Sequence, residues 1–139
     1  MSYRSLTPDV PGEMGNRTEL DPSTHPPTVA VFHLDVTNWS GDDLVECFPC
    51  FAVTPALAAA LQRAGLTGYS LTEMTTTANA DQREINPERR VPRFQRLVVT
   101  GRAGSDDAGI DSKQHLVVSD RLWALLQRFR LNACEFTPW

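Results

Sequence analysis

The sequence predicts an α+β domain in which a single mixed β-sheet of about six strands carries two helices on one face. Three observations lead there. Residues 51–74 (FAVTPALAAALQRAGLTGYSLTEM) and 116–139 (LVVSDRLWALLQRFRLNACEFTPW) superpose without a gap at an offset of 65 positions, placing Thr54 on Ser119, Leu57 on Leu122 and Leu61 on Leu126. Each copy runs from an apolar strand end through a Ser or Thr cap and a helix of about three turns to a second strand. Both helices have an apolar stripe at helical spacing, and packing them on one face of one sheet would bury both stripes together. With 139 residues, a single domain covering 1–139 is the simplest organisation.

In chain order, residues 1–27 hold five prolines and two glycines, which excludes a regular helix or a central strand. A disordered tail and an extended N-terminal arm docked over the domain are both compatible with this, and the spaced apolar residues Tyr3, Leu6, Val10, Met14 and Leu20 argue for the arm. Val29–Asp35 reads as a first, central strand, and His33 within it reads as a core histidine. TNWSGDD is a turn that displays Trp39, Asp42 and Asp43. Residues 46–53 (ECFPCFAV) form a second strand, bent or at an edge because of Pro49.

In the first copy Thr54 caps the helix and Pro55 occupies its first position, where a missing N–H costs nothing. Leu57, Ala60, Leu61 and Ala64 form the stripe, and Gly65 suits a left-handed helix end. Tyr69–Met74 is the strand that follows. In the second copy Ser119 is the cap, and Leu122, Leu125, Leu126 and Phe129 form the stripe with Trp123 beside it, half covered. Arg130 stands where Gly65 did, so this helix end closes differently. Between the copies, residues 75–93 form a polar, arginine-rich segment, Phe94–Thr100 a strand, and GRAGSDDAGIDSK a glycine-rich loop with Asp106, Asp107 and Asp111.

Apolar residues make up 41% and charged residues 22% of the chain, as in ordinary globular proteins. No stretch reaches the ~18 apolar residues of a membrane span, and no apolar signal segment opens the chain, so the expected location is cytoplasmic. Three cysteines without a secretory context point to reduced thiols. Twelve arginines against one lysine, with alanine runs, suggest a GC-rich bacterial genome. Residues 1–50 hold eight acids against two arginines, a net of −6, whereas the remainder has a net of +2. Such asymmetry bears on partners and not on fold.

No catalytic constellation stands out. Cys47 and Cys50 have zinc-ligand spacing but are half a site, and on one strand residues three apart point to opposite faces, so no zinc is expected. The acidic turns at 41–43 and 105–107 lack the spacing of a calcium loop and read as solvated surface. The arginines at 83, 89, 90, 93 and 96 could meet phosphates, but no aromatics are interleaved with them.

The segments PDVPGEMG, NWSGDDLVECFPCFAVT, AGLTGYSL, VTGRAGSDDAGI and LVVSDRLWALLQRF, followed by CEF, resemble a group of small bacterial proteins. They are distantly similar to the double-CXXCG immunity proteins of bacterial toxin systems, which also pair a strand, a capped helix and a strand near their ends. This chain has one CxxC with no following glycine, so the metal site of that group does not transfer. The resemblance implies a cytoplasmic immunity protein, without catalysis or cofactor, that occludes a cognate toxin domain. A small acidic domain suits a basic, nuclease-like toxin, and the expected partner-binding residues are Trp39, Asp42, Asp43, Asp106 and Asp107. The alternative is a metal- or nucleic-acid-binding domain using the cysteine pair or the arginine segment.

Overall fold

A computed structural model describes residues 2–139. Among these residues are three helices, α1 (Pro55–Ala64), α2 (Ala80–Ile85) and α3 (Asp120–Leu126). The strands are β1 (Tyr3–Thr7), β2 (Gly12–Met14), β3 (Glu19–Asp21), β4 (Thr28–Val31), β5 (His33–Val36), β6 (Leu44–Cys47), β7 (Cys50–Val53), β8 (Tyr69–Thr72), β9 (Thr75–Ala78), β10 (Gln95–Val99), β11 (Ala108–Ile110), β12 (Leu116–Ser119) and β13 (Glu135–Pro138). The α+β class holds, but the strands divide among four sheets instead of forming one.

Two of these sheets carry the repeat. One has the order β6-β7-β10-β8 and the other β11-β12-β1-β13, and every pairing within them is antiparallel. Each copy of the repeat is therefore a strand–helix–strand unit split by a strand from outside it, β10 in the first and β1 in the second. The registers correspond. Leu97 of β10 lies between Phe51 and Leu71, and Leu6 of β1 lies between Leu116 and Phe136, each pair related by the 65-residue offset. The residues expected to form an arm thus include an inner strand of a sheet. Leu6, at 1% exposure, supplies the side chain its row requires.

Both helix stripes enter one core. Leu57, Leu61, Leu122 and Leu126 pack with Leu6, Phe51, Val53, Leu97, Leu116 and Val118. The Thr54 and Ser119 hydroxyls accept the N–H of Leu57 and Leu122, as capping requires. Gly65 ends α1 in the left-handed region, at φ 62°. Helix α3 stops earlier, at a Gln127 cap, and the following N–H groups of Arg128 and Phe129 reach back only three residues. Trp123 is buried, not half covered: Phe136 lies 4.7 Å from it, and the Arg4 guanidinium sits 5.6 Å over its ring.

Three further expectations change. Residues 29–35 are two strands in different sheets, divided at Phe32, whose ring is buried. β5 is central in the sheet β2-β5-β9, while β4 pairs only with β3. Residues 46–53 form the β6–β7 hairpin, because Pro49 has no N–H for a continuing ladder. The polar segment after Met74 contains β9 and α2, the latter capped by the Asn79 side chain. The small β2-β5-β9 sheet covers the second face of the β10 sheet. There Val45, Cys47, Cys50 and Ala52 meet Phe32, Leu34, Val36 and Phe94 in a second core.

Candidate functional site

The two acidic turns are structural braces. The Thr54 hydroxyl donates to Asp43 at 2.7 Å, and its N–H donates to the Asp43 carbonyl. In the second copy Ser119 makes the same two bonds to Asp107, the hydroxyl bond at 2.6 Å. Each turn then reaches the other copy. Asp43 accepts the Arg130 N–H at 2.7 Å, and Asp42 accepts those of Asn132 and Ala133, just beyond α3. Asp107 accepts the N–H of Thr67, just beyond α1, together with two donors of Arg121. Burial alone would push the Asp107 carboxyl up, but these hydrogen bonds and the Arg121 charge outweigh it and the net shift is downward.

These contacts correct the expected binding surface. Asp42 is 0% and Asp107 2% exposed, so neither carboxylate faces a partner. Asp43 and Asp106 are half-buried, Asp106 accepting the Arg102 N–H at 2.7 Å. Around the Gly41 backbone (φ 103°) lie the guanidinium groups of Arg89 and Arg130, so the outside of that turn is basic. Trp39 is also half-buried. It packs edge-on against Phe94 at 5.8 Å and donates its indole N–H to the Asp42 carbonyl, which makes it part of the frame.

His33 is buried, with both ring nitrogens engaged. Nδ1 accepts the Arg17 N–H, so the hydrogen sits on Nε2, 2.8 Å from the Thr77 hydroxyl. Thr77 in turn donates to Asp35 at 2.8 Å. Cys47 and Cys50 are cross-strand partners in the hairpin and so share a face, contrary to the single-strand expectation. Burial pushes the Cys47 thiol up to about 11 and also raises Cys50, opposed there by Arg96. Among the described residues no three His, Cys, Asp or Glu side chains converge as metal ligands.

Two other surfaces remain available. The first lies on the small sheets. Glu13 stands directly across from Asp35 in the β2–β5 register, and the three ion pairs among the described residues include neither carboxylate. On the neighbouring pair, β3 and β4 expose Leu20 (43%), flanked in sequence by Glu19 and Asp21, and Val31 (38%), which lies opposite Glu19. The second is the face of the β1 sheet turned away from α3. Its β1–β13 side lines a groove of about 940 Å³ that runs from Ser5 and Thr7 to Trp139, while on its β11–β12 side Gly109 packs against Arg102 and Ala103 and Val117 is fully buried. No residue of the first surface carried a signal beyond ordinary polarity. What distinguishes Glu13 is its cross-strand partner, which pairing alone reveals. No helix is long and apolar enough to cross a membrane. No family model, curated protein or solved structure matches this chain.

Proposed function

We propose that the protein acts by binding another protein, as a cytoplasmic immunity factor that occludes a basic toxin domain. The contact face in this reading is the acidic strip on the small sheets and not the 41–43 and 105–107 turns. The observation that carries it is the Glu13–Asp35 juxtaposition, in which neither carboxylate has an ion-pair partner although Asp35 accepts hydrogen bonds from Thr77 and Asn79. Like charges directly opposed in an antiparallel pair are destabilising by about 0.2–1 kcal/mol in the free protein. A cationic partner would turn that cost into attraction. The exposed Leu20 and Val31 add apolar contact beside the acidic residues, the arrangement of a protein interface. The charge excess of residues 1–50 then has a role as a steering field.

The reading predicts a trade-off. Glu13→Gln should stabilise the free protein by about 0.2–1 kcal/mol, seen in urea titration. The same change should slow association with the toxin and flatten its salt dependence. The partner to use is the product of the adjacent toxin-like gene, co-expressed and then measured at low and high salt. Unchanged association kinetics in Glu13→Gln would remove this strip from the interface. A wild-type chain that binds no neighbouring product and protects against none would count against the immunity reading itself.

A further inference from the structure

We infer that Cys47 and Cys50 form a reversible disulfide across the closing end of the β6–β7 hairpin, independently of any toxin contact, with a low-molecular-weight disulfide as oxidant. The two residues are direct cross-strand partners, separated only by Phe48 and Pro49. Residues directly opposed in an antiparallel pair have Cα atoms about 4.5–5.5 Å apart, within the span of about 4.4–6.8 Å that a disulfide bridges. The faces agree as well. Val45, Cys47, Cys50 and Ala52 point into the second core, whereas Leu44, Phe51 and Val53, which alternate with them, point into the first. Both thiols therefore leave the hairpin on one side, and a bond between them requires no change of register.

The surroundings keep the pair as two thiols until an oxidant arrives. Burial pushes the Cys47 thiol up to about 11, and the neighbouring Cys50 adds to the rise. Cys50 is raised by burial too, but Arg96 opposes that shift. Arg96 stands opposite Ala52 in the β10–β7 register, on the side of the sheet that holds both sulfurs, and its guanidinium donates to the Val29 carbonyl at 2.8 Å. A guanidinium beside a thiolate stabilises it, which makes Cys50 the attacking sulfur. Its thiolate displaces one thiolate from the small disulfide and leaves a mixed disulfide. Cys47 then loses its proton and attacks the Cys50 sulfur, releasing the second small thiolate. Two protein thiols are oxidised to one disulfide, one small disulfide is reduced to two thiols, and the two protons pass to the released thiolates.

Cys47 and Cys50 are 7% and 2% exposed, while Phe48 between them is 49% exposed, so exchange begins when this end of the hairpin loosens. The bond would fasten together the strands that contribute Val45 and Ala52 to the second core. Cys134 is the internal contrast, because it is buried in the first core, apart from the other two.

The test is thiol counting by mass spectrometry on the full chain, refolded from urea into glutathione buffers of graded ratio and held in urea at the same ratios in parallel. Refolding removes the barrier of access. After acid quenching and alkylation, the folded chain is expected to pass from three free thiols to one as glutathione disulfide rises. Peptide mapping should place the link between Cys47 and Cys50 and the remaining thiol at Cys134. The midpoint, taken as the square of the thiol concentration over that of the disulfide, should be about tenfold or more higher in the folded chain than in urea, because a bond that fits the native hairpin is favoured by folding. Dithiothreitol should restore all three thiols. Cys134→Ser should pass from two thiols to none at the same midpoint, the wild-type count standing alone if that variant does not fold. Three free thiols in the folded chain at every ratio overturn the inference. So does a link that includes Cys134, or a folded midpoint no higher than the one in urea.

Discussion

The β10 sheet and the β1 sheet share one strand order, one register and one pair of capped helices, yet only the first carries a second core on its outer face, over β6 and β7. The outward positions account for this. In the β10 sheet they include Val45, Cys50, Ala52 and Val98, while the corresponding positions of the β1 sheet hold Gly109, His115, Val117 and Thr7. Apolar side chains on the first sheet require a cover, and β2, β5 and β9 supply it with Phe32, Leu34 and Val36. On the second sheet the 102–103 backbone packs against Gly109 and Val117 is fully buried, while Thr7, Glu135 and Thr137 on β1 and β13 stay exposed. The inward positions, by contrast, are mostly apolar in both, because both sheets face one shared core; Glu46, Gln95 and Arg4 are exceptions. A duplicated frame can thus build a second core on the outer face of one copy and leave part of the other's exposed.

The comparison can be broken most forcefully at the braces. Asp107→Ala should lower unfolding free energy by about 3 kcal/mol, because buried donors of Thr67 and Ser119 lose their acceptor. Arg121 is largely exposed and screened, so it contributes little to that loss. The folded carboxyl lies below its unfolded value of about 3.9. Its stabilisation is therefore present above that pH and disappears as pH falls through the lower, folded value. Urea titrations from pH 6 to 2 should show Asp107→Asn less stable than wild type at pH 6, with a flatter acid limb.

A smaller effect sharpens the contrast between outer faces. Val45→Thr places a hydroxyl in a dry core and should cost about 1–3 kcal/mol. Thr7→Val, at an exposed position of the β1 sheet, should stay within about 0.5 kcal/mol of wild type in the same urea assay. A further pair of substitutions tests the equivalence of the two halves. Thr54→Ala and Ser119→Ala should each cost about 1 kcal/mol, since both caps serve a helix N–H and a neighbouring carboxylate. A much larger loss in one would show that the two caps do unequal work.

The helices and their stripes were legible because capping and helical spacing are local signals, repeated at one offset. The division into sheets was not, because β1 and β10 enter the repeats from distant parts of the chain and nothing local announces such pairing. β11 and α2 were hidden in segments whose glycines and charges imitate loops. The acidic turns misled because paired aspartates with Gly or Ser resemble solvated surface. A signal was present, however: Asp43 and Asp107 precede their caps by 11 and 12 residues, so the turns belong to the repeat. A polar residue repeated with the core pattern more readily serves the frame than a partner.

The place of β1 also has a consequence for the order in which the molecule can be made. Its partners are β12 and β13, so Arg4 must wait for Val118 and Pro138 before it has neighbours on both sides. The strands of the β10 sheet span residues 44–99 and can pair while the ribosome is still adding the rest. The β1 sheet closes only once residue 138 has left the exit tunnel. Until β12 has emerged residues 3–7 have no strand partner, and until β13 has emerged one edge of β1 stays open. A nascent chain halted before β13 would lack the strand beside β1 and the Phe136 and Trp139 rings that meet Trp123 and Tyr3.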